Sequence, residues 1–242
     1  HTPTTRDTLS LPDALPILMA DPRIVHHPKR INTITYSELR ELSYMGASVL
    51  HEEAIFPVKE KNIPINILNT NHPEEGGTII VEKDDHPSEQ MITGIAGKKN
   101  FTVIAIYKNH MSDEVGIIRR ALEICENYRI SIEHIPSGID SFSIVVNSED
   151  VKDIIYDMVG DMKKACNADE IKIIDNISLI ATVGRQMMYR PGISGKLFAV
   201  LGKNNINIRM IAQGTDEMNI IVGVENKDYE KTVETIYNNF VV

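Results

Sequence analysis

One segment of this chain occurs twice. Phe101–Val146 and Ile177–Val222 align without a gap at a constant offset, the 76 residues that separate Ile130 from Ile206. At that offset Gly116 meets Gly192, Ile117 meets Ile193 and Leu122 meets Phe198. Ile130-Ser131-Ile132 meets Ile206-Asn207-Ile208, Gly138 meets Gly214, Asp140 meets Asp216, and Ile144-Val145-Val146 meets Ile220-Ile221-Val222. A repeat at fixed period means that one supersecondary unit was built twice. Function is therefore sought where two copies could meet.

Each copy opens with an apolar run rich in β-branched residues, 101–106 and 177–182, which predicts a buried strand. A loop follows, then apolar residues at helical spacing: Ile117, Ala121, Leu122, Ile124 and Cys125 in copy one, Leu197, Phe198, Val200 and Leu201 in copy two. The segments 130–135 and 206–211 alternate with period two and predict strands with one face in a core. Turns at 136–140 and 212–216 carry glycine and aspartate and lead into second strands, so each pair reads as a hairpin. Ser148 and Asn226 open second helices, to about Ala165 and Phe240. Ile171–Ile174 supplies copy one with a fourth strand. The order β-α-β-β-α-β is that of a ferredoxin-like sandwich, an α+β fold with helices on one face. Copy two has no obvious fourth strand beyond Val241-Val242, so it is either short there or completed from elsewhere.

Composition narrows the function classes. The net charge of −9, 5% aromatic content and absence of tryptophan argue against a nucleic-acid surface. No apolar stretch approaches a membrane span. Two cysteines, Cys125 and Cys166, make neither a disulfide framework nor a metal site, and both read as buried thiols on helices. A reducing, cytoplasmic setting fits. His134 has no partner at ligand spacing. His51-Glu-Glu-Ala-Ile55 begins like a zinc-protease helix but has isoleucine where the second histidine belongs.

Residues 17–82 form a different unit. Thr35-Tyr-Ser-Glu38 has capping-box spacing ahead of a helix to about Gly46, and another helix is predicted over 51–61. Strands are predicted at Ile63–Leu68 and Thr78–Val81. This is too few strands for an independent α/β domain, so the unit reads as the tail of a larger one.

Here the residues resemble a known family. Met19-Ala-Asp-Pro-Arg23, Lys29-Arg30-Ile31, Tyr36-Ser-Glu-Leu39, the run Glu41–His51 and Gly76-Gly-Thr-Ile79 resemble the end of the aspartate kinase catalytic domain. The repeats resemble the two regulatory ACT domains behind it. Ile132–Ser141 is especially similar to monofunctional, clostridial-type members. The layout implied is a non-family leader at 1–16, the end of an amino-acid kinase domain at 17–82, a linker at 83–90, and ACT domains at 91–175 and 176–242. The resemblance implies ATP-dependent phosphorylation of aspartate, with magnesium, and feedback inhibition by lysine, threonine or both. It implies a homodimer formed through the ACT domains, with neither nucleic acid nor membrane as partner. Arg23 would contact the nucleotide and Asp21 would shape its loop. Many members carry lysine where this chain has Ser48. The family's amino-terminal catalytic half has no counterpart here, so the 242 residues alone are expected to lack kinase activity. His1–Pro16 reads as foreign sequence, which the same leader in a complete gene would overturn.

An amino-acid effector needs donors for its carboxylate, such as those at a helix start, and an acceptor for its ammonium. Carried over residue by residue, the resemblance places the effector on Met111 and Ser112 of the loop, on Ser131, Ile132 and Glu133 of the facing strand, and on Ser137 and Gly138 of the turn. Glu133 would take the ammonium; copy two has Arg209 there, so copy one is the expected site. Taken without the resemblance, Glu133 reads as a solvated charge on a strand face, and Ser131 and Ser137 as ordinary strand and turn residues. The alternative function is a free-standing amino-acid sensor that regulates another protein. The unit at 17–82 separates the two readings, because a pure sensor has no use for it.

Overall fold

In a computed structural model the described residues are 15–47, 58–84 and 90–241, apart from the side chain of Met188. Residues 1–14 of the leader expected at 1–16, the run 48–57 with Ser48 and His51, and most of the linker lie outside them. In the amino-terminal unit, strand β1 (Thr33–Thr35) runs straight into helix α1 (Tyr36–Tyr44). The capping box forms: the Thr35 hydroxyl accepts from the Glu38 amide at 3.2 Å, and the Glu38 carboxylate accepts from the Thr35 amide at 2.9 Å. Strands β2 (Ile65–Ile67) and β3 (Thr78–Val81) complete a sheet of order β1-β3-β2, with β1 parallel and β2 antiparallel to β3. The buried Thr78 hydroxyl closes this unit, donating to Ile31 O at 2.6 Å and accepting from the Ile17 amide at 2.9 Å.

The repeats share a second sheet. Its elements are β4 (Gly94–Tyr107), α2 (Ile117–Asn127), β5 (Ser141–Asn147), α3 (Ser148–Val151), α4 (Ile155–Cys166) and β6 (Glu170–Val183), followed by α5 (Ile193–Lys203), β7 (Met210–Ala212), β8 (Asn219–Glu225) and α6 (Tyr229–Phe240). The strand order is β5-β4-β6-β8-β7, antiparallel throughout. The helix expected from Ser148 to about Ala165 is broken into α3 and α4.

Both long strands serve both copies. The second half of β4 pairs Val103–Tyr107 with Ile174–Glu170 inside copy one, whereas its first half pairs Gly94–Lys98 with Val183–Leu179 of copy two. Copy two therefore takes its fourth strand from the residues ahead of copy one. The expected division at 175/176 falls inside β6, and residues expected in the first domain lie in the sheet of the second. Asn100 and Asn176, at φ 67° and 60°, mark where each strand passes between copies; asparagine tolerates that left-handed backbone better than most residues.

The gapless alignment also needs correcting beyond the turn. Ile104 pairs with Ile144, but its counterpart Ile180 pairs with Val222 rather than Ile220. Copy two thus has a turn two residues longer. A two-residue slip leaves every strand side chain on its original face, so the apolar pattern does not register it. The strand expected at 130–135 is reduced to bridges from His134 to Val145 and from Ser137 to Phe142. Pro136 stands where copy two has Ala212 and brings no N–H to the ladder; the ladder forms at Met210–Ala212.

Copy one has its own core, including Ile104, Ile106, Ala121, Cys125, Phe142, Met158, Met162 and Cys166. Copy two and the amino-terminal unit share the other, in which Leu39 and Leu42 join Leu179, Val183, Leu197 and Ile236. A Cβ built on Gly94 would meet Leu42 of α1 at 3.0 Å, and one on Gly97 would meet Tyr229 of α6 at 2.8 Å. These glycines lie three apart on one strand and face opposite ways. The copy-two sheet is therefore sandwiched between α6 and α1.

Candidate functional site

The Met19–Arg23 segment is carried on copy two. The Ile95 amide donates to Met19 O at 2.7 Å, and the Lys29 amide donates to the Tyr237 hydroxyl at 2.7 Å. Lys29 Nζ reaches Val241 O at 2.8 Å. Arg23 folds onto Asp21, with Nη2 to Oδ2 at 2.6 Å and Nε to Oδ1 at 3.0 Å, while the Arg23 amide donates to Oδ1 at 2.8 Å. The hydrogen bond from Arg23 holds the Asp21 carboxyl below its ordinary range. The Arg23 side chain is 88% exposed and can meet an anionic phosphate. Among the described residues no group of three His, Cys, Asp or Glu could hold a metal ion.

The seven expected effector residues differ in their surroundings. Met111 is 7% exposed and packs in the core of copy one, while Ser112 is exposed. Ile132 packs against that core, and Ser131 is exposed. Ser137 and Gly138 form the turn, where the Gly138 amide donates to Ser141 O at 2.7 Å. The Glu133 amide donates to Val145 O at 2.9 Å, and its carboxylate faces the Tyr44 hydroxyl at the end of α1. Burial, then the neighbouring Glu133 carboxylate and the charge of Glu41, push the Tyr44 phenol up to about 12. Lys98 Nζ lies 5.2 Å from the centre of the Tyr44 ring.

The loop before α2 is held by its own ions. Glu114 accepts from Arg120 and lies 3.1 Å from Lys108 Nζ, and Arg120 Nε donates to Ala165 O at 2.9 Å. At the repeat offset Glu114 becomes Arg190 and Lys108 becomes Gly184, so copy two does not repeat this ion cluster. The matching loop borders a cavity of about 270 Å³, lined by residues that include Met187, Arg190, Ser194, Gln213 and Glu217. Met187 and Gln213 are the offset partners of Met111 and Ser137, and that correspondence is the signal by which the sequence could have reached this cavity. Arg190 and Glu217 have no such signal.

A node that the sequence reading did not reach joins copy two to the amino-terminal unit. Glu38, 0% exposed, accepts from the Thr93 hydroxyl at 2.5 Å, the Arg185 amide at 3.1 Å and Arg185 Nη1 at 2.9 Å, besides its capping bonds. Arg185 Nη2 continues to Asp84 at 2.5 Å. One helical turn on, Glu41 accepts from Asn219 Nδ2 at 2.5 Å. Desolvation pushes the Glu38 carboxyl up, but the Thr93 hydroxyl, the Thr35 and Arg185 amides and the Arg185 charge outweigh it. Its pKa therefore lies below the ordinary value.

Two family models match this chain: the amino acid kinase family over residues 11–69 and the ACT domain over residues 180–240. Aspartokinase 3 of Bacillus subtilis is 35% identical over 225 residues, 93% of this chain and 49% of that protein. The crystal structure of Clostridium acetobutylicum aspartate kinase is 54% identical and superposes with a TM-score of 0.90, over 94% of this chain and 53% of that one. The chain is similar in sequence and fold to aspartate kinases. It spans about half the length of these aspartate kinases and corresponds to their carboxy-terminal portion. Escherichia coli aspartokinase III shares the fold at 24% identity. Its complex with aspartate and ADP (R-state) has a TM-score of 0.79, and its complex with lysine and aspartate (T-state) 0.78; each covers 95% of this chain and 51% of that one.

Proposed function

We propose that this chain is the regulatory portion of an aspartate kinase, joined to the end of its kinase domain, and that it binds an end-product amino acid for feedback inhibition. The observation that carries this reading is the shared core and the Glu38 node, by which a segment matching the amino-acid kinase family is packed onto a segment matching the ACT domain. A free-standing sensor would have no need of that docked segment. In the whole enzyme ATP would meet the exposed Arg23 guanidinium, with magnesium held by groups outside the described residues. The exposed edge at 130–137 suits pairing of copy one with a second chain in a cytoplasmic homodimer.

The effector follows from the zwitterion it must recognise. On the first reading lysine or threonine presents its ammonium to Glu133, displacing the Tyr44 hydroxyl. The copy-two cavity favours a second reading. There a helix start and Arg190 suit a carboxylate, and Glu217 suits an ammonium. Calorimetric titration of the 242-residue chain with lysine and with threonine tests both. Saturable binding lost in Glu133→Ala supports the first reading, and binding lost in Glu217→Ala supports the second. A folded chain that binds neither amino acid would remove both.

A further inference from the structure

Arg185 sits between two structures that have no other reason to share a residue. On its amino side β6 ends at Val183; on its carboxyl side the chain enters the loop that lines the copy-two cavity, from Met187 to Gly192. Its amide and one guanidinium nitrogen bind Glu38, in the first turn of α1, and its other terminal nitrogen binds Asp84 just beyond β3. The guanidinium is 17% exposed, and its Nε is buried without a partner. A buried fork held at both ends, with one donor unpaired, has a narrow choice of positions. A displacement of the loop therefore cannot be absorbed by Arg185 alone and is passed to the helix.

The first turn of α1 answers to copy two through Glu38 and the middle through Glu41 and Asn219, while Tyr44 in its last turn reaches Glu133 of copy one. A helix is stiff over this length. The same carboxylate that caps it is the one Arg185 holds, so the start of the helix and the docking of copy two are one contact.

We propose that Arg185 and Glu38 form a clasp that couples the Met187–Gly192 loop to α1, so that the state of the copy-two cavity sets the position of the kinase-derived helix. Arg185 is a positioning residue in this scheme and touches no substrate. The proposal deepens the regulatory reading above and depends on it for physiological meaning, but the test reads backbone opening and not ligand binding, so the two can fail separately.

Coupling is reciprocal and appears as non-additivity in a double-mutant cycle. Pro191→Gly loosens the loop at a position in the cavity lining, beyond Arg185 in the chain. Hydrogen exchange of the 242-residue chain is followed in the α1 amides, with α2 and α4 of copy one as reference. Pro191→Gly is expected to raise α1 exchange severalfold when Arg185 is present and to leave it unchanged when Arg185 is methionine. If Arg185→Met does not fold, Arg185→Lys runs the same cycle, keeping the charge and losing the fork. A rise of equal size in both backgrounds, no rise in either, or an equal rise in α2 and α4 would overturn the clasp.

Discussion

Glu38 has two tasks. It completes a capping box, which any helix start can use, and its remaining acceptor capacity takes an arginine from another unit. With Glu38→Gln the helix keeps a weaker cap, but Arg185 loses its buried counter-charge and retains only Asp84. The expected cost is about 3 kcal/mol, near the lower figure for breaking a buried pair, and denaturant unfolding of the 242-residue chain measures it. The pH dependence follows from the sign of the shift. Since the folded-state pKa is lowered, the stabilisation from Glu38 is fully present above its ordinary value of about 4.5, and it is lost as pH falls through the lowered native value. Unfolding midpoints should therefore drop more steeply with acid in the parent chain than in Glu38→Gln; parallel profiles would count against the assignment. The cap was legible in Thr35-Tyr-Ser-Glu38, because capping is local. Arg185 was not, because 147 residues separate it from Glu38 and nothing in its own neighbourhood announces a partner.

Among the elements, the most legible were those fixed by nearby residues. The helices after Gly116 and Gly192, and the strands at Thr78–Val81 and Ile171–Ile174, stand where periodicity placed them. The features that failed were those decided at a distance. Copy two's fourth strand was not legible because Gly94–Lys98, with two glycines and a lysine around Ile95 and Ala96, carries little strand pattern of its own. The longer turn of copy two escaped because a slip of two changes no face. The effector residues read from copy one are a separate case: their grouping was carried over by resemblance, they stand at core, turn and edge positions, and the titration proposed above is what tests them. The strand exchange makes a direct prediction. Residues 176–242 alone lack Gly94–Lys98 and should show no cooperative unfolding. Replacing 101–176 by a two-residue Asn-Gly turn keeps Lys98 in register with its partner Leu179, and this shortened chain should unfold cooperatively by thermal circular dichroism. Cooperative unfolding of 176–242 by itself would show that the borrowed strand is dispensable.

At the scale of the whole molecule, the three-stranded sheet of the amino-terminal unit is held against the five-stranded sheet of the repeats by the core it shares with copy two. The shared strands carry one further consequence, for the order in which the chain is made. Gly94–Lys98 leaves the ribosome some eighty residues before Leu179–Val183, the segment that must pair with it. Closing so long a loop costs entropy. Copy one, synthesised in between with a core of its own, shortens that loop as it folds, because pairing Val103–Tyr107 with Glu170–Ile174 brings Lys98 close to Ile177. The first copy thus serves the second as a splint during synthesis, before either has anything to regulate.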